Sequence, residues 1–359
     1  MKKIVMTGGG TAGHITPNIA LFAGLKAAGY EIYYIGENGG MEEELIKKEG
    51  IPFYGITAGK MRRDKSVKTM AKNATDMFRV LKGKNQAKSI LKEIKPDVVF
   101  SKGGFVTVPV VMAAHSLNIR IVCHESDMTP GLANKLALPK ADKICVSFPE
   151  TMDYVDRSKA VLTGSPVRES LFKGDRQKGL SLCGFSGDKP VIMVMCGSQG
   201  SVKINQVVRD ILPDITKKFD LAHLCGRGNT ADITAEGYKQ FEYVNEELPD
   251  VFAAADMVIS RAGANSISEF LSLKKPNLLI PLGGKATRGD QILNAESFEK
   301  QGFSLVLPET ELTDETLKAN IEKLYTEKDV YIDKMEKSDA SDGVRKILEV
   351  IFAVSGKGE

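Results

Sequence analysis

Short runs of β-branched and aromatic residues alternate along this chain with longer stretches whose apolar positions recur every three or four residues. Lys3-Ile4-Val5-Met6, Glu31-Ile32-Tyr33-Tyr34-Ile35, Asp97-Val98-Val99-Phe100, Ile119-Arg120-Ile121-Val122-Cys123 and Lys143-Ile144-Cys145-Val146 read as buried strands. Between them, Pro17 to Ala28, Met41 to Glu49, Val67 to Ile94 and Val106 to Leu117 read as helices. Strand, crossover helix and strand in this rhythm predict a parallel sheet with helices on both faces and right-handed connections. The rhythm restarts at Pro190 to Met195. It continues through Leu221 to Leu224, Phe241 to Val244, Met257 to Ser260 and Asn277 to Ile280. The chain therefore reads as α/β, with two doubly wound domains joined near Gly164-Ser165-Pro166-Val167, where glycine and proline punctuate the pattern. An amphipathic helix from Gly343 to Val354 closes it, with Val344, Ile347, Leu348 and Ile351 on one face.

The length of 359 residues agrees with about two domains. Hydrophobic residues at 42% and charged residues at 26% are ordinary for a soluble globular chain. No apolar run approaches the ~18–20 residues of a membrane helix, and the first strand runs into a glycine loop rather than a signal-peptide cleavage site. The 5 cysteines (Cys123, Cys145, Cys183, Cys196 and Cys225) are odd in number and never spaced C-x-x-C. They read as reduced packing residues, against a disulfide framework or a zinc site. The net charge of +3 gives no argument for nucleic acid. One segment departs from this balance: residues 60–95 hold twelve basic and three acidic residues, interleaved with Met61, Val67, Met70, Met77, Phe78, Val80 and Leu81. Lys and Arg near an anionic leaflet contribute about 1 kcal/mol each, and apolar residues can enter the interface. The segment fits attachment to a membrane surface; a plainer reading is a solvated helix face over an ordinary core.

Open parallel sheets bind ligands beyond the carboxyl ends of their strands, and that is where the glycines cluster. Thr7-Gly8-Gly9-Gly10-Thr11-Ala12-Gly13-His14, Lys102-Gly103-Gly104, Cys196-Gly197-Ser198-Gln199-Gly200 and Arg261-Ala262-Gly263-Ala264 each follow a strand and precede a helix. Helix N-termini with exposed N–H groups favour anions, so these loops point to phosphate binding. Any one of them alone is equally a tight turn. Gly8, Gly10 and Gly13 also satisfy G-x-G-x-x-G, which with Glu37 near the end of the second strand leaves open an NAD(P)-dependent oxidoreductase. The loop is not a Walker A motif, because His14 stands where lysine is required.

Together these segments resemble glycosyltransferase family 28, and within it the enzymes that move N-acetylglucosamine from UDP-GlcNAc onto lipid I to make lipid II. The resemblance covers nearly the whole chain. Its most specific pieces are Gly9-Gly10-Thr11-Ala12-Gly13-His14, His124-Glu125, Gly197-Ser198-Gln199-Gly200, Ser260-Arg261-Ala262-Gly263 with Ser266 and Glu269, and Asp290-Gln291 with Asn294-Ala295. It implies the GT-B architecture, two Rossmann-like domains facing across a cleft. Residues 1–165 plus 342–359 would bind acceptor and membrane, and residues 166–341 would bind UDP-GlcNAc. It implies inverting, metal-independent transfer to the C4 hydroxyl of MurNAc in lipid I, without a cofactor. The protein would serve cell-wall synthesis, cell shape and division from the cytoplasmic face of the membrane, alongside other cell-wall proteins.

The family's contacts carry over by position. Gly197, Ser198, Gln199 and Gly200 would hold the UDP phosphates, with Arg168 as a donor-contacting arginine. Val244 would lie against uracil, while Ala264, Asn265 and Ser266 would line the phosphate and nucleoside. Glu269 would accept from the ribose hydroxyls, and Gln291 would contact the sugar. Thr11, Ala12 and Gly13 would lie near the donor sugar and the acceptor diphosphate, with Gly103, Gly104 and Asp127 as further substrate contacts. His14, Glu125 and Asp127 are the candidate bases for the attacking hydroxyl; His14 has the best intrinsic pKa, near 6.5. Its plainer role is to order the glycine loop or bind diphosphate, and Glu125 could equally hold the loop around Gly103-Gly104. Two positions depart from the family pattern. Ala12 stands where many members have glycine and would be strained at positive φ, and Asp127 stands where many have asparagine. The same loops would also suit a nucleotide-sugar-binding or lipid-carrier module without catalysis, or a GT-B relative acting on another sugar, such as a UDP-sugar epimerase or a diacylglycerol glycosyltransferase.

Overall fold

The apolar runs become two separate parallel sheets, each covered by the helices that connect its strands. A computed structural model describes residues 1–59, 67–283 and 289–356, with side chains for all of them except 12 and 67–75. Lys60, Met61, Arg62, Arg63, Asp64 and Lys65 of the basic segment thus lie outside the described residues. The chain divides into two compact units, Met1–Arg168 with Asp342–Glu359, and Glu169–Ser341.

In the first unit the strands are β1 (Lys2–Thr7), β2 (Tyr30–Glu37), β3 (Phe53–Ile56), β4 (Val98–Ser101), β5 (Arg120–Glu125), β6 (Lys143–Val146) and β7 (Ala160–Leu162). The intervening helices are α1 (Ala12–Ala27), α2 (Met41–Lys48), α3 (Val67–Ile94), α4 (Thr107–Ser116) and α5 (Leu132–Ala137). The sheet order is β3-β2-β1-β4-β5-β6-β7, so the direction of winding reverses between β1 and β4. Val5, Val99 and Ile121 face one apolar layer with Val110 and Leu91, while Ile4, Val98 and Val122 face the other with Leu21 and Leu25. This alternation explains why these strands carry apolar residues on both faces.

The second unit repeats the plan. Helix α6 (Arg176–Cys183) leads to β8 (Val191–Met195), α7 (Val202–Asp210), α8 (Leu212–Ile215), β9 (Asp220–Leu224), β10 (Tyr238–Phe241) and α9 (Leu248–Ala254). Then follow β11 (Met257–Ser260), α10 (Ala264–Ser272), β12 (Asn277–Leu279), α11 (Asp290–Lys300), β13 (Leu305–Val306) and α12 (Asp314–Glu336). The order β10-β9-β8-β11-β12-β13 reverses between β8 and β11. Helix α7 starts where the Ser201 side chain accepts from the Ile204 N–H, and α12 starts with a reciprocal Thr313–Thr316 capping box.

The last helix, α13 (Gly343–Val354), belongs to the first unit. Its apolar face, with Ile347 and Ile351 fully buried, lies on the cluster of Leu21, Phe22 and Leu25 from α1. The approach is close: a Cβ on Gly24 would fall 2.3 Å from Leu348 Cδ1. Phe352 stacks on Tyr30 at 5.6 Å.

Three details differ from the sequence reading. Helix α1 begins at Ala12 rather than Pro17, because Ile15 is already a core residue and extends the helix toward the glycine loop. Ala12 has helical backbone there, so the strain expected at a positive φ does not arise; Gly10, at φ 85, makes the turn instead. The strand expected at Phe241 to Val244 starts earlier, at Tyr238, because Gly237 at φ 74 turns the chain and Tyr238 enters register with Leu221. Truncating Ile351 to Ala should cost about 2–5 kcal/mol of stability, since it removes a fully buried side chain that joins the chain's end to α1. The denaturant midpoint of the Ile351→Ala variant checks this, and a wild-type midpoint would contradict it.

Candidate functional site

In the first unit the loops after β1 and β4 meet at the reversal of strand order. Lys102 N–H donates to the Thr7 carbonyl at 2.9 Å, extending the ladder past the strand ends, and Gly9 N–H reaches the Gly103 carbonyl at 3.4 Å. Gly103 and Gly104 have φ of 103° and 92°, and a Cβ on Gly104 would fall 2.3 Å from the Gly9 carbonyl oxygen. Only glycine permits this contact. The loop after β1 is braced from below: Asn18 Nδ2 donates to Tyr34 Oη at 2.9 Å, and that hydroxyl donates to the Gly8 carbonyl at 2.7 Å. Thr11 sits at the N-cap of α1 without a side-chain cap, followed by Ala12, Gly13 and His14 in the first turn.

A fully buried lysine lies at the centre of this end of the sheet. Lys102 Nζ donates to His124 Nδ1 at 2.9 Å and to Ser126 Oγ. His124 Nε2 donates to the Gly164 carbonyl at 3.0 Å, so its tautomer follows from its partners: Nε2 carries the proton and Nδ1 accepts. His14, half-buried in the first turn of α1, has a buried Nδ1 with no hydrogen-bond partner. Burial, then the neighbouring Lys102 charge, lowers the His14 pKa to about 4. The same two causes hold His124 well below its ordinary value. Burial also lowers Lys102 itself to about 8, opposed by Glu125, Asp127 and Cys145.

Glu125 is committed to its own loop. Its Oε1 accepts from the Asp127 N–H at 3.0 Å; its Oε2 accepts from the Gly131 N–H at 3.1 Å and from Asn134 Nδ2 at 2.8 Å. Burial raises its pKa despite these bonds. Asn134 also donates to the His124 carbonyl and lies beneath Gly103, where an added Cβ would meet its amide at 3.3 Å. Glu125 thus shapes the turn that presents half-exposed Asp127.

The G-x-G-x-x-G loop carries an acid of its own. Buried Glu42, in the first turn of α2, accepts from the Glu37 N–H at 2.9 Å through Oε1 and lies 3.5 Å from the Gly10 nitrogen through Oε2. A Cβ on Gly9 would fall 2.2 Å from Glu42 Oε1. A dinucleotide pyrophosphate on this face would meet a carboxylate already there, which disfavours the oxidoreductase reading.

In the second unit the predicted residues gather at the equivalent edge. Gly197 and Gly200 make the turn after β8 with φ of 79° and 67°. Ser198 and Gln199 are exposed at its tip, and their carbonyls accept from Arg227 N–H and Asn229 Nδ2. Ala264, Asn265 and Ser266 form the first turn of α10, which has no side-chain cap, and Glu269 follows on the same helix. Gln291 lies in the first turn of α11, where its Oε1 accepts from the Leu282 N–H at 2.9 Å. Val244 is buried beyond β10. Arg261 joins these loops: it donates to Ser201 Oγ at 2.8 Å and the Ile280 carbonyl at 3.0 Å, and pairs with Glu309. Asn294 Nδ2 donates to the Ala262 carbonyl at 3.1 Å, fixing α11 to the same turn. Below them, buried His223 accepts from Tyr238 at Nδ1 and donates to Asn205 Oδ1, each at 3.0 Å, while Asn205 Nδ2 holds the Cys225 carbonyl.

Arg168 stands apart, at the end of the first unit, with a buried Nε lacking a partner. His115 is exposed on α4. All five cysteines are buried, and burial pushes the Cys123, Cys145 and Cys196 thiols up to about 12, away from nucleophilic chemistry. The sequence reading named Arg261 only as part of a motif, and it gave no role to Lys102, Glu42 or Asn134.

Two buried histidines and half-buried His14 make acid a specific threat to the fold. His14 titrates near 4, His223 near 3 and His124 well below its ordinary value, whereas each takes a proton near 6.5 when unfolded. Their contribution is therefore intact above the unfolded value and is lost as pH falls toward the folded ones. Near pH 5 the unfolded chain binds three more protons, so stability falls by up to about 4 kcal/mol per pH unit from these residues. Denaturant midpoints between pH 7 and 5 test this, and His223→Asn should remove about one third of the histidine slope; an unchanged slope contradicts the assignment.

Comparison with known proteins agrees with this geometry. Residues 4–146 match the glycosyltransferase family 28 N-terminal domain and residues 191–351 the C-terminal domain of the same family. A UDP-N-acetylglucosamine--N-acetylmuramyl-(pentapeptide) pyrophosphoryl-undecaprenol N-acetylglucosamine transferase from Lachnospira eligens is 57% identical over 98% of this chain and 99% of its own length. A protein of the same name from Clostridium botulinum is 56% identical over the same shares. Among solved structures, MurG of Acinetobacter baumannii aligns with a TM-score of 0.74 at 23% identity, over 98% of this chain and 100% of that one. The calicheamicin glycosyltransferase CalG4 aligns with a TM-score of 0.72 at 14% identity, over 100% and 99%. These structural likenesses place the fold among GT-B glycosyltransferases. Two matching domains and full-length identity above one half establish that the chain belongs to glycosyltransferase family 28.

Proposed function

We propose that the protein transfers N-acetylglucosamine from UDP-GlcNAc to the C4 hydroxyl of MurNAc in lipid I, giving lipid II. The observation that carries this is the 57% identity, over nearly the full length of both chains, to a relative whose name states that transfer. The second unit is read as the donor site. Gly197 to Gly200 and the uncapped start of α10 direct helix N-termini at the UDP phosphates. Glu269 takes the ribose hydroxyls, Val244 the uracil, Ala264, Asn265 and Ser266 the nucleoside side, and Gln291 the sugar. Arg168 adds positive charge for the departing diphosphate, so transfer needs no metal.

The first unit is read as the acceptor site and the source of the base. The acceptor oxygen bonds to C1 of the sugar as the C1–oxygen bond to UDP breaks, and that electron pair leaves with UDP. The acceptor's proton passes to His14. What supports His14 over Glu125 is occupancy: both Glu125 oxygens are engaged within the loop, whereas His14 is half-buried and neutral above about pH 4. Thr11, Ala12, Gly13, Gly103 and Gly104 bind the acceptor side, and Asp127 lies toward the sugar.

Release of UDP from UDP-GlcNAc should depend on lipid I and persist in chelator; release indifferent to lipid I would overturn the reading. His14→Ala should lower kcat by about 10²–10⁴-fold. Glu269→Ala should raise KM for UDP-GlcNAc by about ten-fold or more, as expected for losing a hydrogen bond to a charged group.

The same reading places the protein peripherally on the cytoplasmic membrane face. No helix among the described residues is long and apolar enough to cross a membrane. Support comes from α3, where Met77, Phe78 and Leu81 are exposed beside Arg79, Lys82 and Lys84. Beneath them lies an apolar cavity of about 250 Å³, lined by Val80, Phe105, Val108, Met112 and Leu136 as well as Met77 and Leu81. Phe78→Ser with Leu81→Ser should weaken sedimentation with anionic vesicles; unchanged binding excludes this face.

A further inference from the structure

We propose that His223 and Asn205 are positioning residues for the donor loop: through one file of hydrogen bonds they fix the Cys225 carbonyl, and Gly200 of that loop packs on this carbonyl. This rests on the reading of Gly197 to Gly200 as the loop that holds the UDP phosphates, but it concerns two residues to which that reading gives no role.

Strands β8 and β9 end in register, Met195 opposite Leu224, so the loops that leave them run side by side. Three contacts join these loops. Arg227 N–H donates to the Ser198 carbonyl at 3.2 Å, and Asn229 Nδ2 donates to the Gln199 carbonyl at 2.8 Å. Gly200 lies so close to Cys225 that a Cβ on it would fall 1.8 Å from the carbonyl oxygen. The donor loop is thus seated on the loop after β9, and its place depends on what holds that second loop.

A polar file inside the core holds it. Asn205, on α7 and 1% exposed, donates from Nδ2 to the Cys225 carbonyl at 2.8 Å. Its Oδ1 meets His223 Nε2 at 3.0 Å, and His223 Nδ1 meets the Tyr238 hydroxyl at 3.0 Å. The file has one direction. A carbonyl only accepts, so Asn205 presents its nitrogen to Cys225 and its oxygen to His223. Nε2 must then carry the ring proton, and Nδ1 accepts from Tyr238. Arg209, one turn farther along α7, donates to the Asn229 carbonyl, so the helix grips the loop at a second point. Packing alone would be met by apolar residues, since Ile204 and Val208 on the same helix are fully buried. A buried polar file is costly unless every member is satisfied. What this one satisfies beyond itself is the carbonyl that seats the donor loop.

The experiment measures UDP affinity by calorimetry, and KM and kcat with UDP-GlcNAc and lipid I, in wild type, Asn205→Leu, His223→Leu and His223→Gln. Hydrogen exchange of residues 196–201 is recorded with and without UDP, and denaturant midpoints are taken for each protein. Wild type should bind UDP and protect that segment. Each leucine variant leaves a buried partner unpaired, so UDP should bind about five-fold or more weakly and the KM for UDP-GlcNAc should rise alike. The KM for lipid I should hold. His223→Gln, whose amide can donate to Asn205 Oδ1, should bind UDP as wild type does. Asn205→Asp, which keeps the side chain's shape but turns an oxygen to the carbonyl, replaces Asn205→Leu if that variant does not fold. A lowered midpoint with unchanged UDP affinity makes the pair structural only and overturns the proposal, as does equal weakening in His223→Gln and His223→Leu. UDP that leaves residues 196–201 unprotected in wild type removes the donor-loop reading and the proposal with it; protection there, with variants that bind UDP normally, removes the proposal alone.

Discussion

Backbone packed on backbone, at the strand ends where winding reverses, is the constraint on which this structure depends. In the first unit the loop after β4 rests on the loop after β1 so closely that a Cβ on Gly104 would overlap the Gly9 carbonyl. In the second, a Cβ on Gly200 would fall 1.8 Å from the Cys225 carbonyl, and one on Gly226 would fall 2.3 Å from the Gly200 nitrogen. No side chain fits in these gaps. The glycines are needed less for loop freedom than for the nearness they allow, which aligns successive helix N-termini along one edge of each sheet.

The two units place different charges on that common frame. At the first, ionisable groups influence one another: Lys102 donates to His124 Nδ1, its charge lowers the pKa of His124 and of half-buried His14, and Glu125 and Asp127 favour that charge. Such a cluster suits proton transfer, because each group's state is set by burial and by its neighbours. At the second, the charge that stands among the loops is Arg261, a planar guanidinium with five donors. Clamped by Ser201, Glu309 and the Ile280 carbonyl, it joins the loops after β8, β12 and β13. A fixed charge suits holding an anion, where nothing need gain or lose a proton.

The central strands of both sheets were legible in the sequence, and the misplaced or missed strands share a location. β3, β7 and β13 went unread and β10 was displaced, and all four are sheet edges. An edge strand is short and buries less, so its hydrophobic signal is weak. The glycine loops were legible because positive φ and close approach restrict residue choice. The groups that tune the site were not. Lys102 reads as one lysine among many, since nothing local shows that the two sheet neighbours of β4 will bury it. Asn134 and Glu125 are nine residues apart, and their bond depends on the path of the loop between them.

Glu42 shows why the same glycine pattern serves a different chemistry here. In a dinucleotide site the acid follows the second strand and meets a ribose, while the loop N–H groups are left for the pyrophosphate. Here the acid that matters comes a few residues later, in the first turn of α2, and folds back beneath the glycines. Its carboxylate takes the Glu37 N–H and approaches that of Gly10. The carboxylate thus takes up the Glu37 and Gly10 side of the loop, where the pyrophosphate of a dinucleotide would lie. The spacing of glycines reports only that two backbones must approach. Which ligand the loop accepts is decided by the charge beneath it, and a motif confined to the glycines carries no information about that charge.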